Sequence, residues 1–227
     1  MTFLNPGDEV LIPNPGYPTY TSVTNLLGAK PLYYGIDLTK SGRPNLEELE
    51  SQDLSKVKLM WINYPHMPTG AAGSREILQE LVAFAKKHEI VLLHDNPYSH
   101  ILTKEPMSIL SIPGAKEVAM ELNSLSKAFN MPGWRVGMLA GREDWIAKVL
   151  KVKSNMDSGM FLGIQKGAIA ALNLGDSWFS DIESTYQSRR KLVWKLADKL
   201  NLTYDTKAAG LFVWCQVPEG KTADQIV

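Results

Sequence analysis

Six short apolar runs alternate along this chain with longer segments of helical period. The alternation is typical of a mostly parallel α/β sheet, because each parallel strand needs a crossover before the next one. The runs are nearly continuous in apolar residues, which predicts strands covered by helices on both faces. The predicted strands are Glu9–Ile12, Lys30–Gly35, Lys58–Asn63, Ile90–His94, Val118–Asn123 and Val136–Ala140.

Four segments carry the spacing of amphipathic helices. The clearest is Ser74–His88, in which Ser74 suits the N-cap and the basic residues of the last turn suit the negative end of the helix dipole. Its apolar stripe consists of Ile77, Leu78, Leu81, Val82 and Ala85. The other predicted helices are Arg142–Lys153, Leu162–Leu174 and Trp178–Leu200.

The last predicted helix is long enough to connect two units. Its inward face is predicted to carry Ile182, Tyr186, Val193 and Leu196. We expect a large domain over residues 1–195 and the beginning of a small α+β domain over residues 196–227. A strand is predicted at 210–217, but this second unit is too short to bury a core of its own.

Charge and cysteine content exclude several classes of protein. Lys and Arg number 24 and Asp and Glu number 24, so the formal net charge of zero provides no field for binding nucleic acid or an anionic membrane. The single cysteine, Cys215, excludes a disulfide framework and a thiolate zinc cluster. No apolar run approaches the roughly 20 residues that cross a bilayer, and the first residues lack a basic signal-peptide region. We therefore expect a cytoplasmic protein.

Common motifs of α/β enzymes are missing from the sequence. It contains no P-loop, no G-x-G-x-x-G and no G-x-S-x-G. His94, Asp95 and His100 fit no standard metal-ligand spacing, which disfavours a metal site. The segment 124–127 matches the S-x-x-K of penicillin-recognising hydrolases, but the other motifs of those enzymes are missing.

One longer segment gives a more specific signal. Ser124-Leu125-Ser126-Lys127 follows a predicted buried strand, and Arg135 stands eight residues after Lys127 at the start of the next strand. The whole segment 124–137 resembles the S-x-[SA]-K-x-x-x-x-x-G-x-R-x-G pattern of class I/II, fold-type I aminotransferases, which use pyridoxal 5'-phosphate (PLP). The resemblance implies a fold-type I large domain, mostly a parallel sheet with helices on both faces.

Three further segments extend the resemblance in the same order as in that family. The stretches 5–10 and 13–20 together resemble the segment that carries an aromatic residue for the cofactor ring, and the second of them begins Pro13-Asn14-Pro15-Gly16-Tyr17-Pro18. Asn63-Tyr64-Pro65-His66-Met67-Pro68-Thr69-Gly70 resembles the N-x-P-x-N-P-T-G loop, and Asp95-Asn96-Pro97-Tyr98 resembles D-x-x-Y. The similarity is greatest to the aspartate, aromatic and LL-diaminopimelate aminotransferase branches, among which the sequence does not choose.

The resemblance assigns the aldehyde, the ring nitrogen and the phenolic oxygen of the cofactor to three residues. Lys127 is the expected catalytic lysine, because transamination needs an amine that forms a Schiff base and then moves a proton. Asp95 is expected to keep the pyridine nitrogen protonated, and Tyr98 to donate to the phenolic oxygen O3′. Without the resemblance, Asp95 would be interpreted as a turn or cap residue and Tyr98 as a core tyrosine.

The resemblance assigns the phosphate and the ring face to four more residues. A phosphate dianion needs a fork of donors, which predicts Arg135 as a ligand with the hydroxyls of Ser124 and Ser126. Tyr17 is expected to stack on the ring. The alternatives are a surface ion pair for Arg135, turn or cap roles for both serines, and a packed turn aromatic for Tyr17.

The sequence departs from the family pattern at Met67, where most relatives have an asparagine that donates to O3′. A thioether cannot donate a hydrogen bond. The hypothesis is that the pKa of the cofactor–lysine imine is higher than usual, or that His66 or a water replaces the donor. By resemblance, the Met67–Pro68 bond is expected to be cis.

The resemblance also suggests that the chain is truncated at both ends. Relatives have a segment before Asn5 that helps hold the phosphate, and a C-terminal domain with the arginine that binds the substrate α-carboxylate. The implied activity is ping-pong transfer of an amino group from an amino acid to a 2-oxo acid. The resemblance also implies a homodimer, in which the segment 154–165 of one subunit reaches the cofactor of its neighbour. The alternatives are a PLP-dependent β-lyase and a folded, dimeric homologue without independent catalysis.

Overall fold

The computed structural model describes residues 1–226 and builds them around a seven-stranded sheet. Its strands are β1 (Glu9–Asn14), β2 (Lys30–Asp37), β3 (Arg43–Pro44), β4 (Val57–Ile62), β5 (Val91–Asp95), β6 (Ala119–Ser124) and β7 (Gly137–Ala140). A separate two-stranded sheet consists of β8 (Thr203–Tyr204) and β9 (Cys215–Gln216). The six strands predicted for the main sheet are confirmed.

Seven α-helices accompany the strands in the described part of the chain. They are α1 (Pro18–Leu26), α2 (Leu46–Glu50), α3 (Arg75–His88), α4 (Leu125–Ala128), α5 (Glu143–Lys153), α6 (Leu162–Leu172) and α7 (Asp176–Lys199). The four predicted helices are confirmed as α3, α5, α6 and α7. The strand predicted at 210–217 is wrong in extent, because only Cys215–Gln216 pairs with a neighbour.

The strand order β3-β2-β1-β4-β5-β6-β7 explains where a site can form. The central strands β2, β1, β4, β5 and β6 are parallel, and the edge strands β3 and β7 are antiparallel to their neighbours. The chain places β2 on one side of β1 and β4 on the other side. Such a reversal opens a crevice at the carboxyl ends of the strands, where ligands of α/β proteins bind.

Alternate residues of the central strands pack into two cores, one on each face of the sheet. In β1, Leu11 faces the core that contains helix α3, whereas Val10 and Ile12 face the opposite core. The apolar stripe predicted for α3 is buried, and the Ser74 hydroxyl accepts a hydrogen bond from the backbone N–H of Ile77. Two covered faces explain why these strands are apolar throughout.

The apolar stripe predicted for α7 is only partly confirmed. Ile182 is buried and Tyr186 is half-buried, but Val193 and Leu196 are 43% and 56% exposed. Helical spacing identifies an apolar face, and that face is buried only where another element covers it. In the described residues, the second half of α7 buries Ala197 instead.

Leu78 provides a test of the core beneath α3. The Leu78→Ala variant is expected to lower the free energy of unfolding by about 2–5 kcal/mol, because Leu78 is fully buried and its removal leaves a cavity. The matched control is Leu26→Ala in α1, where the side chain is 84% exposed. Denaturant unfolding should show a change within about 0.5 kcal/mol for the control. Equal effects in the two variants would contradict the described packing.

Candidate active site

A cavity of about 390 Å³ lies at the carboxyl edge of the sheet. The structure brings all seven residues predicted for the site into its lining: Tyr17, Asp95, Tyr98, Ser124, Ser126, Lys127 and Arg135. The other lining residues are Tyr20, Asn63, Met67, Pro97, Pro132 and Phe212.

The topology explains this convergence. Tyr17, Asn63, Asp95 and Ser124 lie at or just beyond the carboxyl ends of the parallel strands β1, β4, β5 and β6, which meet at one edge. Strand β7 runs antiparallel to β6, so its amino end lies at the same edge. This direction brings Arg135, two residues before β7, to the cavity.

Asp95 is held by two hydrogen bonds at the end of β5. Its carboxylate Oδ2 accepts from the Tyr20 hydroxyl at 2.7 Å, and its backbone carbonyl accepts from Asn63 Nδ2 at 2.6 Å. The Tyr20 ring stacks on Trp61 with centroids 4.5 Å apart. Burial raises the pKa of Asp95, and the bond from Tyr20 and the nearby His94 oppose that increase. The carboxyl group is therefore held in position by Tyr20 where it lines the cavity.

Asn63 connects Asp95 to the 63–70 loop. Its Oδ1 accepts a hydrogen bond from the backbone N–H of Met67 at 2.6 Å, while its Nδ2 binds Asp95. The Met67–Pro68 bond is cis, as predicted. Met67 lines the cavity with a side chain that has no hydrogen-bond donor.

His66 does not lie where it could replace a donor at Met67. It is outside the cavity lining, and its Nδ1 is 2.9 Å from the Thr69 hydroxyl. Burial lowers the pKa of His66 to about 4, so the ring is neutral near pH 7. The alternative in which His66 supplies the missing hydrogen bond is therefore not supported by this geometry.

Two aromatic side chains form one wall of the cavity. Tyr98 is 8% exposed and contacts Phe212 edge to face, with ring centroids 5.8 Å apart. Burial, with smaller contributions from Asp95 and Tyr17, raises the pKa of Tyr98 to about 12. Its phenol is therefore protonated at neutral pH and can donate a hydrogen bond.

Lys127 lies on the short helix α4, directly after β6. Ser124 is the N-cap of this helix, and its Oγ accepts a hydrogen bond from the backbone N–H of Ser126 at 3.1 Å. The Ser124 hydroxyl proton is still free to donate to a ligand. Lys127 is half-buried and forms no ion pair with the described residues. Its amine is thus available inside the cavity.

Arg135 adopts a backbone conformation that is unusual for a residue with a side chain. Its φ of 56° lies in the left-handed region. It follows the turn Pro132–Trp134, and its Nη1 donates to the carbonyl of Pro132 at 2.7 Å. Strained backbone of this kind is frequent at binding sites, where it directs a side chain toward a ligand.

Sequence reasoning assigned no role to Tyr20 or Phe212. Tyr20 lies on α1, three residues after the N-cap residue Tyr17, and this spacing brings both side chains to one face of the helix. Helix α1 was not predicted from the sequence. Phe212 comes from the C-terminal segment, which is held by the hydrogen bonds Ala209 N to Gly70 O (2.8 Å) and Gly210 N to Ile101 O (2.9 Å). No sequence signal indicated this long-range contact.

A mixed α/β sheet with a lysine, a half-buried carboxylate and an arginine at its carboxyl edge has the architecture of fold-type I transferases. The chain belongs to the family described as aminotransferase class I and II, whose model matches residues 1–226. Members of this family generally use PLP and act on amino acids and keto acids. Among residues 1–226, no helix has the length and apolar content of a membrane span.

Comparison with individual proteins agrees with this assignment. LL-diaminopimelate aminotransferase 2 of Trichormus variabilis is 40% identical over 227 residues, which cover 99% of this chain and 58% of the relative. Substrate-bound BacF of Bacillus subtilis superimposes with a TM-score of 0.92 at 35% identity, covering 99% of this chain and 58% of BacF. An aromatic aminotransferase of Pyrococcus horikoshii gives 0.85 at 32% identity, with coverages of 94% and 58%. The chain thus spans a little more than half the length of these relatives.

Proposed function

We propose that this chain binds PLP in the cavity at the carboxyl edge and is part of an aminotransferase that moves an amino group from an amino acid to a 2-oxo acid by a ping-pong mechanism. The main support is the convergence of all seven predicted residues on one cavity. The motifs follow each other along the chain in the order found in one family, and their chemically different side chains also meet at one cavity. Such a coincidence is rare by chance.

The side chains predicted to surround the aldehyde and the ring fit the cofactor. Lys127 would hold the aldehyde carbon through its amine, and Asp95 would face the pyridine nitrogen. Tyr98 would donate to the phenolic oxygen, because its phenol is protonated at neutral pH. Tyr17 borders the cavity from the α1 side and would cover one face of the ring.

The donor set at the other end fits a phosphate. The Arg135 guanidinium and the hydroxyls of Ser124 and Ser126 line the same cavity. Arginine presents parallel N–H groups that match two phosphate oxygens, and each serine hydroxyl can donate one further hydrogen bond. The chain would therefore anchor the cofactor at both ends, through Lys127 and through Arg135.

When bound, PLP supplies an electron-withdrawing ring that makes loss of the substrate α-proton possible. The residues of the chain would then control protons. The Asp95 carboxylate, held by Tyr20, would keep a proton on the ring nitrogen. Lys127 Nζ would take the proton from the substrate α-carbon and return it on the cofactor side. The apolar wall of Tyr98 and Phe212 would limit the access of water.

The relatives favour a dicarboxylic amino acid as the first donor to test. Eight curated relatives named LL-diaminopimelate aminotransferase are 37–41% identical to this chain. We therefore propose LL-diaminopimelate as donor and a 2-oxo acid as acceptor. Homodimer formation and the division into domains at 1–195 and 196–227 are parts of the same proposal.

The experiment follows the visible absorbance of the 227-residue chain with PLP. An amino donor alone should convert the bound cofactor to its amine form, and a 2-oxo acid should restore the original spectrum. Release of pyruvate and ammonia from a donor with a β-leaving group, without any acceptor, would favour the β-lyase. Binding of PLP without either reaction would favour a homologue without independent catalysis.

Met67 provides a further prediction. The Met67→Asn variant restores a side-chain donor, which should stabilise the negative charge on the phenolic oxygen and lower the pH midpoint of the visible absorbance change. Replacement by Leu, which adds no donor, is the matched control and should leave that midpoint unchanged. Identical midpoints for Met67→Asn and the parent chain would remove the idea that Met67 changes the electrostatics of the site.

A further inference from the structure

A second polar cluster lies on strands β5 and β6 and does not line the cavity. His94 and Glu121 are register neighbours on the parallel strands β5 and β6. The His94 side chain is fully buried, and the Glu121 residue is 5% exposed. Ionisable groups are almost never buried so completely unless they are paired. The cluster therefore needs an explanation that the mechanism above does not supply.

The His94 ring is surrounded by acceptors on both sides. Its Nδ1 lies 3.2 Å from Glu121 Oε2, and its Nε2 lies 3.2 Å from the carbonyl oxygen of Tyr64. Neither a carboxylate nor a carbonyl can donate a hydrogen bond. Both ring nitrogens of His94 therefore face oxygen acceptors inside the core.

Glu121 collects donors from several parts of the chain. Its Oε2 also accepts from Ser108 Oγ at 2.7 Å and from the Ile109 backbone N–H at 2.9 Å. Its Oε1 accepts from Asn123 Nδ2 at 2.7 Å and from Asn96 Nδ2 at 3.3 Å. Burial alone would raise the pKa of Glu121, but hydrogen bonds from His94 and the neighbouring donors outweigh it and lower that pKa to about 2. The side chain is therefore ionised at neutral pH.

The groups bound by this pair are sequence neighbours of the candidate site residues. Asn96 follows Asp95, and Asn123 precedes Ser124. The carbonyl bound by His94 belongs to Tyr64, which follows Asn63, and Asn63 in turn binds Asp95. The pair thus connects the carboxyl ends of β4, β5 and β6, the three strands that carry these site residues.

We propose that His94 and Glu121 are positioning residues that fix the ends of β4, β5 and β6, and thereby hold Asp95 and Ser124 in the geometry needed for cofactor binding. The part concerning the cofactor rests on the proposed function. A buried polar pair contributes little net stability relative to apolar replacements, but removing one partner leaves the polar atoms of the other without their hydrogen bonds. A geometric role explains why so many donors are directed at one buried carboxylate.

The test compares Glu121→Gln with Glu50→Gln. Glu50 also faces a histidine, because His88 Nε2 lies 3.3 Å from Glu50 Oε1, but this carboxylate is solvent-accessible and pairs with Lys87 Nζ at 2.9 Å as well. In the cofactor-free chain, Glu121→Gln should accelerate amide hydrogen exchange at Asn96 and Met67 by about tenfold or more. This is the change in local opening that follows from the loss of a hydrogen bond to a charged group. Amides in the middle of β1 should keep their protection. PLP affinity should fall by a similar factor, and Glu50→Gln should change none of these quantities.

The exchange pattern separates positioning from general stability. Uniform acceleration over the whole sheet, or no change at Asn96 and Met67, would overturn the proposal. If Glu121→Gln does not fold, His94→Gln provides the same comparison. The glutamine side chain at position 94 can donate with good geometry to only one of the two acceptors at a time, Glu121 Oε2 or the Tyr64 carbonyl. Failure of the parent chain to bind PLP would contradict the proposed function, while the exchange measurement would still decide whether the pair fixes the strand ends.

Discussion

Replacing Lys127 by alanine is expected to abolish the covalent attachment of PLP and to slow amino transfer by a factor of at least about 10²–10⁴. The variant loses the amine that would hold the aldehyde carbon and the base that would move the substrate α-proton. Arg135, Ser124 and Ser126 remain, so the variant should still bind PLP without a covalent bond. Stopped-flow absorbance with excess donor measures the rate of a single half-reaction.

The control for this prediction is another lysine. Lys87→Ala removes a solvent-exposed amine that pairs with Glu50 on the surface. Because it touches no part of the cavity, its half-reaction rate should match that of the parent chain. A Lys127→Ala variant that retains the parent rate would show that the catalytic amine is elsewhere.

The second large effect is expected for Asp95→Asn, which keeps the shape of the side chain and removes its charge. The neutral amide would no longer hold a proton on the ring nitrogen, so the ring would withdraw electrons less strongly from the reacting bond. The half-reaction should slow by about 10²–10³-fold, the usual effect of removing one preorganised electrostatic contact. The same absorbance measurement gives the rate.

Two observations make the Asp95 result specific. Asp53→Asn, at an exposed carboxylate before β4 and outside the cavity lining, is the matched control and should have no effect on the rate. Unfolding midpoints should show that Asp95→Asn remains folded, because Asn63 binds the backbone carbonyl of residue 95 rather than its side chain. A normal rate for a folded Asp95→Asn protein would mean that this carboxylate does not face the ring.

The sequence predicts the central sheet well because its signals are local. Each of the six predicted strands is a short apolar run, and α3 has both a cap at Ser74 and a continuous stripe. The two-residue edge strand β3 (Arg43–Pro44) is not an apolar run and was not predicted. The short helices α1, α2 and α4 have four to nine residues, too few for a periodic stripe to be recognised. The exposure of Val193 and Leu196 likewise depends on what covers α7, which spacing along one helix cannot reveal.

The candidate site was predictable only in part for the same reason. Ordered motifs identified Lys127 and Asp95, and the direction of parallel strands explains why they meet. The antiparallel direction of β7, which brings Arg135 to the cavity, depends on pairing with β6 and is not written in the local sequence. The contacts of Phe212 and the pairing of His94 with Glu121 join residues far apart in the chain, so they became visible only in three dimensions.

The central claim is that one lysine of this chain carries the cofactor. The most direct measurement is borohydride reduction of the 227-residue chain in the presence of PLP, followed by peptide mapping by mass spectrometry. The account predicts one stable phosphopyridoxyl label per chain, on Lys127, and its loss in Lys127→Ala. A label at another lysine, labels scattered over surface lysines, or no label at all would contradict it.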